Sequence, residues 1–118
     1  MSFSLNTQVK GDVVVLTLSG RFSLGPATSE FRNAFRSQLD TGKRLFVLDL
    51  GDVSYVDSGG LGELISAYTS IRNAGGKVNV LKLTAKIRGL MQMTKLTTVF
   101  DVFDSEAVAV AALLRPGH

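Results

Sequence analysis

Cysteine is absent from this chain of 118 residues, and histidine occurs once, at the last position. Without cysteine there is no disulfide framework, no thiolate metal site and no thiol nucleophile. A zinc site or a Ser-His-Asp triad would have to centre on His118, a chain end prone to fraying, so both are set aside. Long apolar runs are missing too. The longest, Ala107 to Leu114, falls far short of the roughly 20 residues needed to span a bilayer. Near the start, Phe3, Leu5, Thr7 and Val9 alternate like a strand and lack the basic-then-apolar build of a signal peptide. A cytoplasmic protein with no direct membrane insertion is therefore expected. Acidic residues are missing between Leu64 and Phe100, where Arg72, Lys77, Lys82, Lys86, Arg88 and Lys95 all fall. A solvated basic face accounts for this stretch, and a docking surface for an acidic partner is the second reading. Nucleic acid is not expected, because no aromatic residues interleave with these charges and no binding motif is present.

What is there is enough for one domain with a core: 45% of the residues are hydrophobic and the net charge is a modest +3. A single domain over residues 1–118, with its core from about residue 3 to 114, is the expectation. The apolar period switches between two and about 3.6 along the chain. Phe3 to Val9 and Val13 to Leu18 read as strands joined by a Gly11-Asp12 turn, an opening hairpin. Gly20 and Gly25-Pro26 bracket a loop of Arg21, Phe22, Ser23 and Leu24. A helix follows from Pro26, with Phe31, Ala34, Phe35 and Leu39 inward and Gly42 as its stop.

Leu45 to Leu50 is nearly continuous in apolar residues, as in a strand covered on both faces. Gly51-Asp52 separates it from a short stretch, Val53 to Val56. The next helix carries Leu61, Leu64, Ile65 and Tyr68 on one side and ends at Gly75-Gly76. Val78, Val80 and Leu81 suggest a strand, residues 85–94 a helix burying Ile87, Leu90 and Met91, and Val99 to Phe103 another strand. Ser105 caps a last helix with Val108, Ala111 and Leu114 inward, ended by Pro116-Gly117. This alternation predicts an α/β fold: a mixed, mostly parallel sheet with an N-terminal antiparallel hairpin.

The junction Asp57-Ser58-Gly59-Gly60-Leu61-Gly62 lies where a buried strand ends and a helix begins, on the carboxyl edge where such sheets carry function. Ser58 is not a hydrolase nucleophile by pattern, since Val56 stands where a nucleophile elbow needs glycine. The glycines lack the spacing of a dinucleotide fingerprint and the Lys-Ser/Thr ending of a P-loop. Helix capping by Asp57 or Ser58 explains part of the motif and contributes about 1 kcal/mol. It does not explain three glycines, each costing up to about 1 kcal/mol inside a helix; these suggest close approach by something external. A phosphate on Ser58 would face free backbone N–H groups and the positive end of the helix dipole.

Taken in order, Leu48-Asp49-Leu50, Val53, Tyr55-Val56-Asp57-Ser58 and Gly60-Leu61-Gly62 resemble the signature of bacterial anti-sigma factor antagonists, the STAS domain family. Gly20, Gly75-Gly76-Lys77-Val78, Ile87-Arg88 and Thr94-Lys95-Leu96 with Phe100 follow the same order, so the resemblance covers Phe3 to Leu114. It implies helices packed mainly on one face of the sheet, and it implies partner switching in transcription regulation. The unphosphorylated protein would bind an anti-sigma factor that is also a serine kinase. Phosphorylation at Ser58 would end binding, and a serine phosphatase would restore it. No cofactor is implied for this chain, Mg²⁺ and ATP belonging to the kinase, and the chain would be a ligand and substrate, not an enzyme. The implied partner-binding residues are Asp57, Gly59, Gly60, Leu61, Glu63, Ser23 and Leu24. Three features depart from the family: Ser23 stands where an acidic residue is common, Gly59 where a second serine is common, and the chain is basic. Two other readings stay open. One is a STAS module of a lipid-transport or stress-signalling assembly without phosphorylation. The other is a sensor binding a nucleotide or other anion near Gly59-Gly60 and the basic stretch.

Overall fold

A computed structural model describes residues 2–95 and 99–115 of the protein. Leu96, Pro116, Gly117 and His118, all used in the sequence reading, lie outside the described residues. The chain begins with two antiparallel strands, β1 (Phe3–Lys10) and β2 (Val13–Phe22), then α1 (Pro26–Asp40) and β3 (Leu45–Val56). Next come α2 (Ser58–Asn73), β4 (Lys77–Leu83), α3 (Ala85–Met93), β5 (Asp101–Phe103) and α4 (Glu106–Leu114). The strands form one sheet in the order β1-β2-β3-β4-β5. β1 pairs antiparallel with β2, and every other neighbouring pair is parallel. This is the expected mixed α/β sheet.

Strand alternation sends side chains to two faces, and both are covered in the middle of the sheet. Val14, Leu16 and Leu18 of β2 point into the larger core with Phe31 and Phe35 of α1, Leu64 and Ile71 of α2, and Met91 of α3. Edge-on ring contacts tie this core together, with Phe22 and Phe31 centroids 5.3 Å apart. Such a pair contributes about 0.5–1.5 kcal/mol beyond simple burial. Val13, Val15, Val47 and Leu81 face the other way, under Ala109 and Leu113 of α4. Three helices therefore share one face, and α4 alone covers the other.

Four local expectations are corrected. Arg21 and Phe22 belong to β2, not to the following loop. β3 runs through Gly51-Asp52 without a break, because the irregularity there is a register shift within the sheet. Lys82 of β4 takes up the shift at φ 57°, and the Asp49 carboxylate accepts the Gly51 N–H at 3.0 Å. β5 is short and starts at Asp101, two residues later than expected. Finally, α4 buries Ala109 and Leu113, while Val108 and Leu114 are 53% and 56% exposed and Ala111 also faces outward. A helix apolar on every side offers no polar residues to mark which face turns in.

Candidate functional site

The site is assembled by the parallel pairing of β2 with β3. Phe22 and Val56 are register partners, so the chain leaves both strands at the same sheet edge. The loop Ser23-Leu24-Gly25 and the junction Asp57-Ser58 are thereby placed side by side. Gly25 sits at φ 131°, a conformation favouring glycine. Its N–H donates to the Thr28 hydroxyl at 3.1 Å, and that hydroxyl donates to the Gly25 carbonyl at 3.0 Å. These bonds fix the loop against the first turn of α1.

Asp57 is the residue that locks the two segments together. In extended backbone conformation it caps α2, its Oδ1 accepting the Gly60 N–H at 2.7 Å. Both carboxylate oxygens also accept the Leu24 N–H at 3.2 Å. The Gly60 N–H holds its pKa below the ordinary 3.8, with the Leu24, Gly59 and Asp57 N–H groups adding to the effect and partial desolvation opposing it. Asp57 is thus a structural anion, and it already occupies the helix terminus. That alters the sequence expectation that a phosphate on Ser58 would find free N–H groups there: the capping position is taken by a carboxylate.

Ser58 is the first residue of α2 and is exposed, and its hydroxyl takes no part in the capping bonds. Leu24 beside it is 72% exposed, unusually high for a leucine. Ser23 and Leu61 are half-buried, Leu61 packing against the large core. The three glycines divide into two kinds. A Cβ on Gly60 would lie 2.1 Å from the Phe22 carbonyl oxygen, and one on Gly59 would lie 2.5 Å from the Leu24 Cβ. Their smallness is explained within the fold, by the close approach of α2 to the end of β2. Only Gly62 opens onto unoccupied space.

Glu63, expected at the surface, is only 7% exposed. Arg32 of α1 reaches it with two hydrogen bonds, Nη2 to Oε1 at 2.6 Å and Nε to Oε2 at 3.2 Å. The carboxylate raises the Arg32 pKa, by hydrogen bonding first and by charge second. This pair is a strut between α1 and α2. Gly60 is likewise buried, so neither Gly60 nor Glu63 presents a side surface to a partner. Ile65, expected inward, is 38% exposed, and it joins Ser58, Gly62, Ser66 and Thr69 on the outer side of α2. The inward stripe of α2 is Gly60, Glu63, Leu64, Ala67 and Ile71, one step round the helix from the stripe that apolar periodicity alone selects.

The surroundings are apolar and basic. An open groove of about 590 Å³ runs from Tyr55 and Val56 along α3, past Lys86, Ile87 and Leu90 to Met93. Met93 is 84% exposed. The Arg21 guanidinium lies 4.1 Å from the Tyr55 ring centroid, a cation–π contact. The basic stretch does not form one face. Lys82 and Lys86 stand at this carboxyl edge, whereas Arg72 and Lys77 line a cleft of about 350 Å³ at the opposite end with Arg115.

Known proteins share this fold. The STAS domain model matches residues 4–109. The anti-sigma F factor antagonist of Paenibacillus polymyxa is 26% identical over 118 residues, covering 96% of this chain and 97% of its own. A crystal structure from Thermotoga maritima superposes with a TM-score of 0.86 at 22% identity, covering 94% and 95% of the two chains. The Bacillus cell fate determinant SpoIIAA, solved in its phosphorylated form, gives a TM-score of 0.73 at 20% identity, covering 97% and 100%.

Proposed function

The chain belongs to the STAS domain family, and from that premise we propose that it is an anti-sigma factor antagonist, switched by phosphorylation of Ser58. In the unmodified state its Ser58 face binds an anti-sigma factor that carries serine kinase activity. Transfer of a phosphoryl group to Ser58 releases that partner, and a serine phosphatase resets the cycle. Mg²⁺ and ATP belong to the kinase, and this chain is its substrate and ligand, not an enzyme. It acts in the cytoplasm.

One observation carries this reading: an exposed serine hydroxyl at the first position of α2, beside a carboxylate that caps the helix through the Gly60 N–H. A phosphate adds about −1.5 to −2 charges and three acceptor oxygens. With Asp57 capping Gly60, that charge meets a like charge one residue away. It is therefore turned outward, onto whatever covers the site. An unpaired charge in a packed interface costs several kcal/mol, enough for some two to four decades of affinity. Release then needs no large change of conformation. SpoIIAA, a protein of the same fold, is known in a phosphorylated form, which supports a phosphorylation switch on this fold.

The surface offered to the partner comprises Ser58, Leu24 and Ser23, with Leu61 at its rim and Gly59 beneath Leu24. Asp57 and Gly60 act by holding the shape, and Glu63 acts through Arg32. The test is incubation with candidate anti-sigma kinases and Mg-ATP, followed by intact mass and site mapping, with binding measured by calorimetry. Ser58→Asp should weaken binding at least about tenfold with little change in Tm. Ser58→Ala should bind and take up no phosphate. A Ser58→Asp variant that binds as tightly as the wild type would overturn the switch.

A further inference from the structure

We propose that the cleft at the amino ends of β4 and β5, away from Ser58, binds a small hydroxylated phosphomonoester of the size of a pentose phosphate. Three cations from separate elements meet there: Arg72 in the last turn of α2, Lys77 at the start of β4 and Arg115 just after α4. Local connections bring them together. Only Ala74, Gly75 and Gly76 separate the end of α2 from Lys77. Asn79 ties α4 to the same end of β4, its Nδ2 donating to the Ala109 carbonyl at 3.0 Å. β5 begins opposite Asn79, so Lys77 and Val78 have no described strand beside them on that edge. The space left is a cleft of about 350 Å³, toward the lower end of the roughly 300–1,000 Å³ of small-ligand sites.

Charge identifies one end of the ligand. None of the three cations has an ion-pair partner among the described residues. Asp101 lines the same cleft without reaching any of them, so the cleft holds a surplus of two positive charges. The negative end of a helix accounts for Arg72 and for Arg115 singly, but not for Lys77 in the same cleft. A phosphomonoester carries about −1.5 to −2 charges near neutral pH and matches that surplus, where a carboxylate supplies only one. Guanidinium groups also suit its paired oxygens.

Asn79 identifies the other end. It is only 6% exposed, and its Nδ2 is committed to Ala109. Its Oδ1 accepts no hydrogen bond among the described residues, and it opens on the cleft rather than being sealed in the core. With the Asp101 carboxylate, this makes a row of acceptors that calls for hydroxyl donors on the ligand. Tyr68 and Phe103, both half-buried, give the cleft apolar walls for the C–H face of such a molecule.

Titration calorimetry of the full chain with ribose 5-phosphate, in a phosphate-free buffer, should show saturable binding with a Kd on the order of 0.1–1 mM that weakens as salt is added. Inorganic phosphate should bind at least about tenfold more weakly, and ribose not measurably. Arg72→Gln and Lys77→Gln should each weaken the sugar phosphate at least about threefold with an unchanged circular dichroism spectrum. Arg36→Gln, which removes one charge from exposed surface on α1, should not. Asp101→Ala should narrow the preference for ribose 5-phosphate over inorganic phosphate. Absence of saturable binding up to about 10 mM would overturn the proposal. So would equal affinity for inorganic phosphate, the mark of an adventitious ion only, or an equal loss in Arg36→Gln.

Discussion

Asp57 shows how one side chain can hold a site without being its chemistry. Its carboxylate satisfies the Gly60 N–H of α2 and the Leu24 N–H of the neighbouring loop, and its pKa is depressed as a result. A carboxylate whose folded pKa lies below its unfolded value stabilises the fold above that unfolded value, and the benefit is lost as pH falls through the folded one. Asp57→Asn should therefore lower Tm clearly at neutral pH. The difference from wild type should shrink below pH 3.8, as the wild-type carboxylate itself takes up a proton. Thermal melts of both proteins between about pH 2 and 7 test this, and a difference that grows in acid would contradict it. The glycines next to Asp57 give an opposed pair. Gly60→Ala drives a Cβ into the Phe22 carbonyl and should cost at least about 2–4 kcal/mol or prevent folding. Gly62→Ala meets open space and should stabilise by about 0.5–1 kcal/mol. If a partner approaches α2 closely, the same Gly62→Ala change should weaken its binding despite the more stable fold.

Between elements, the Arg32–Glu63 pair joins α1 to the inward side of α2. A carboxylate that is only 7% exposed is tolerable because a bidentate guanidinium neutralises it. Removing Arg32 leaves that charge buried without a partner. Arg32→Ala should lower the urea midpoint of unfolding. Arg32→Ala combined with Glu63→Leu should regain most of the loss, since two apolar replacements leave no unpaired charge. This pair also shows where sequence pattern stops being informative. The apolar stripe of α1, with Phe31 and Phe35 inward, was legible because polar residues bracket it. In α2 the inward stripe includes a glutamate, which no hydrophobic period would select. In α4 the run from Ala107 to Leu114 has no polar member, so Val108 and Leu114 could be set on the wrong side without contradicting any pattern. The junction at Ser58 was legible for a different reason: a helix start needs a cap, and Asp57 with its glycines announces one. That Asp57 rather than the serine does the capping, and that Gly59 and Gly60 answer to Leu24 and Phe22, depends on contacts across about 35 residues of sequence.

Across the whole molecule, the sheet separates two surfaces that can change independently. The face bearing α1, α2 and α3 carries the large core and the Ser58 edge, while α4 closes a smaller core over Val13, Val15, Val47 and Leu81. Leu113 is 3% exposed and lies wholly within that smaller core. Leu113→Ala should cost about 2–4 kcal/mol, combining lost burial with the cavity left behind. The Ser58 edge is built from bonds between the β2–α1 loop and the start of α2, none of which passes through α4. At a temperature well below its lowered Tm, the Leu113→Ala protein should therefore match the wild type in the two proposed properties, binding of an anti-sigma partner and uptake of phosphate at Ser58. Calorimetric titration and a phosphorylation time course on the folded variant measure this directly. A substantial loss of affinity there would mean that the two faces communicate through the sheet.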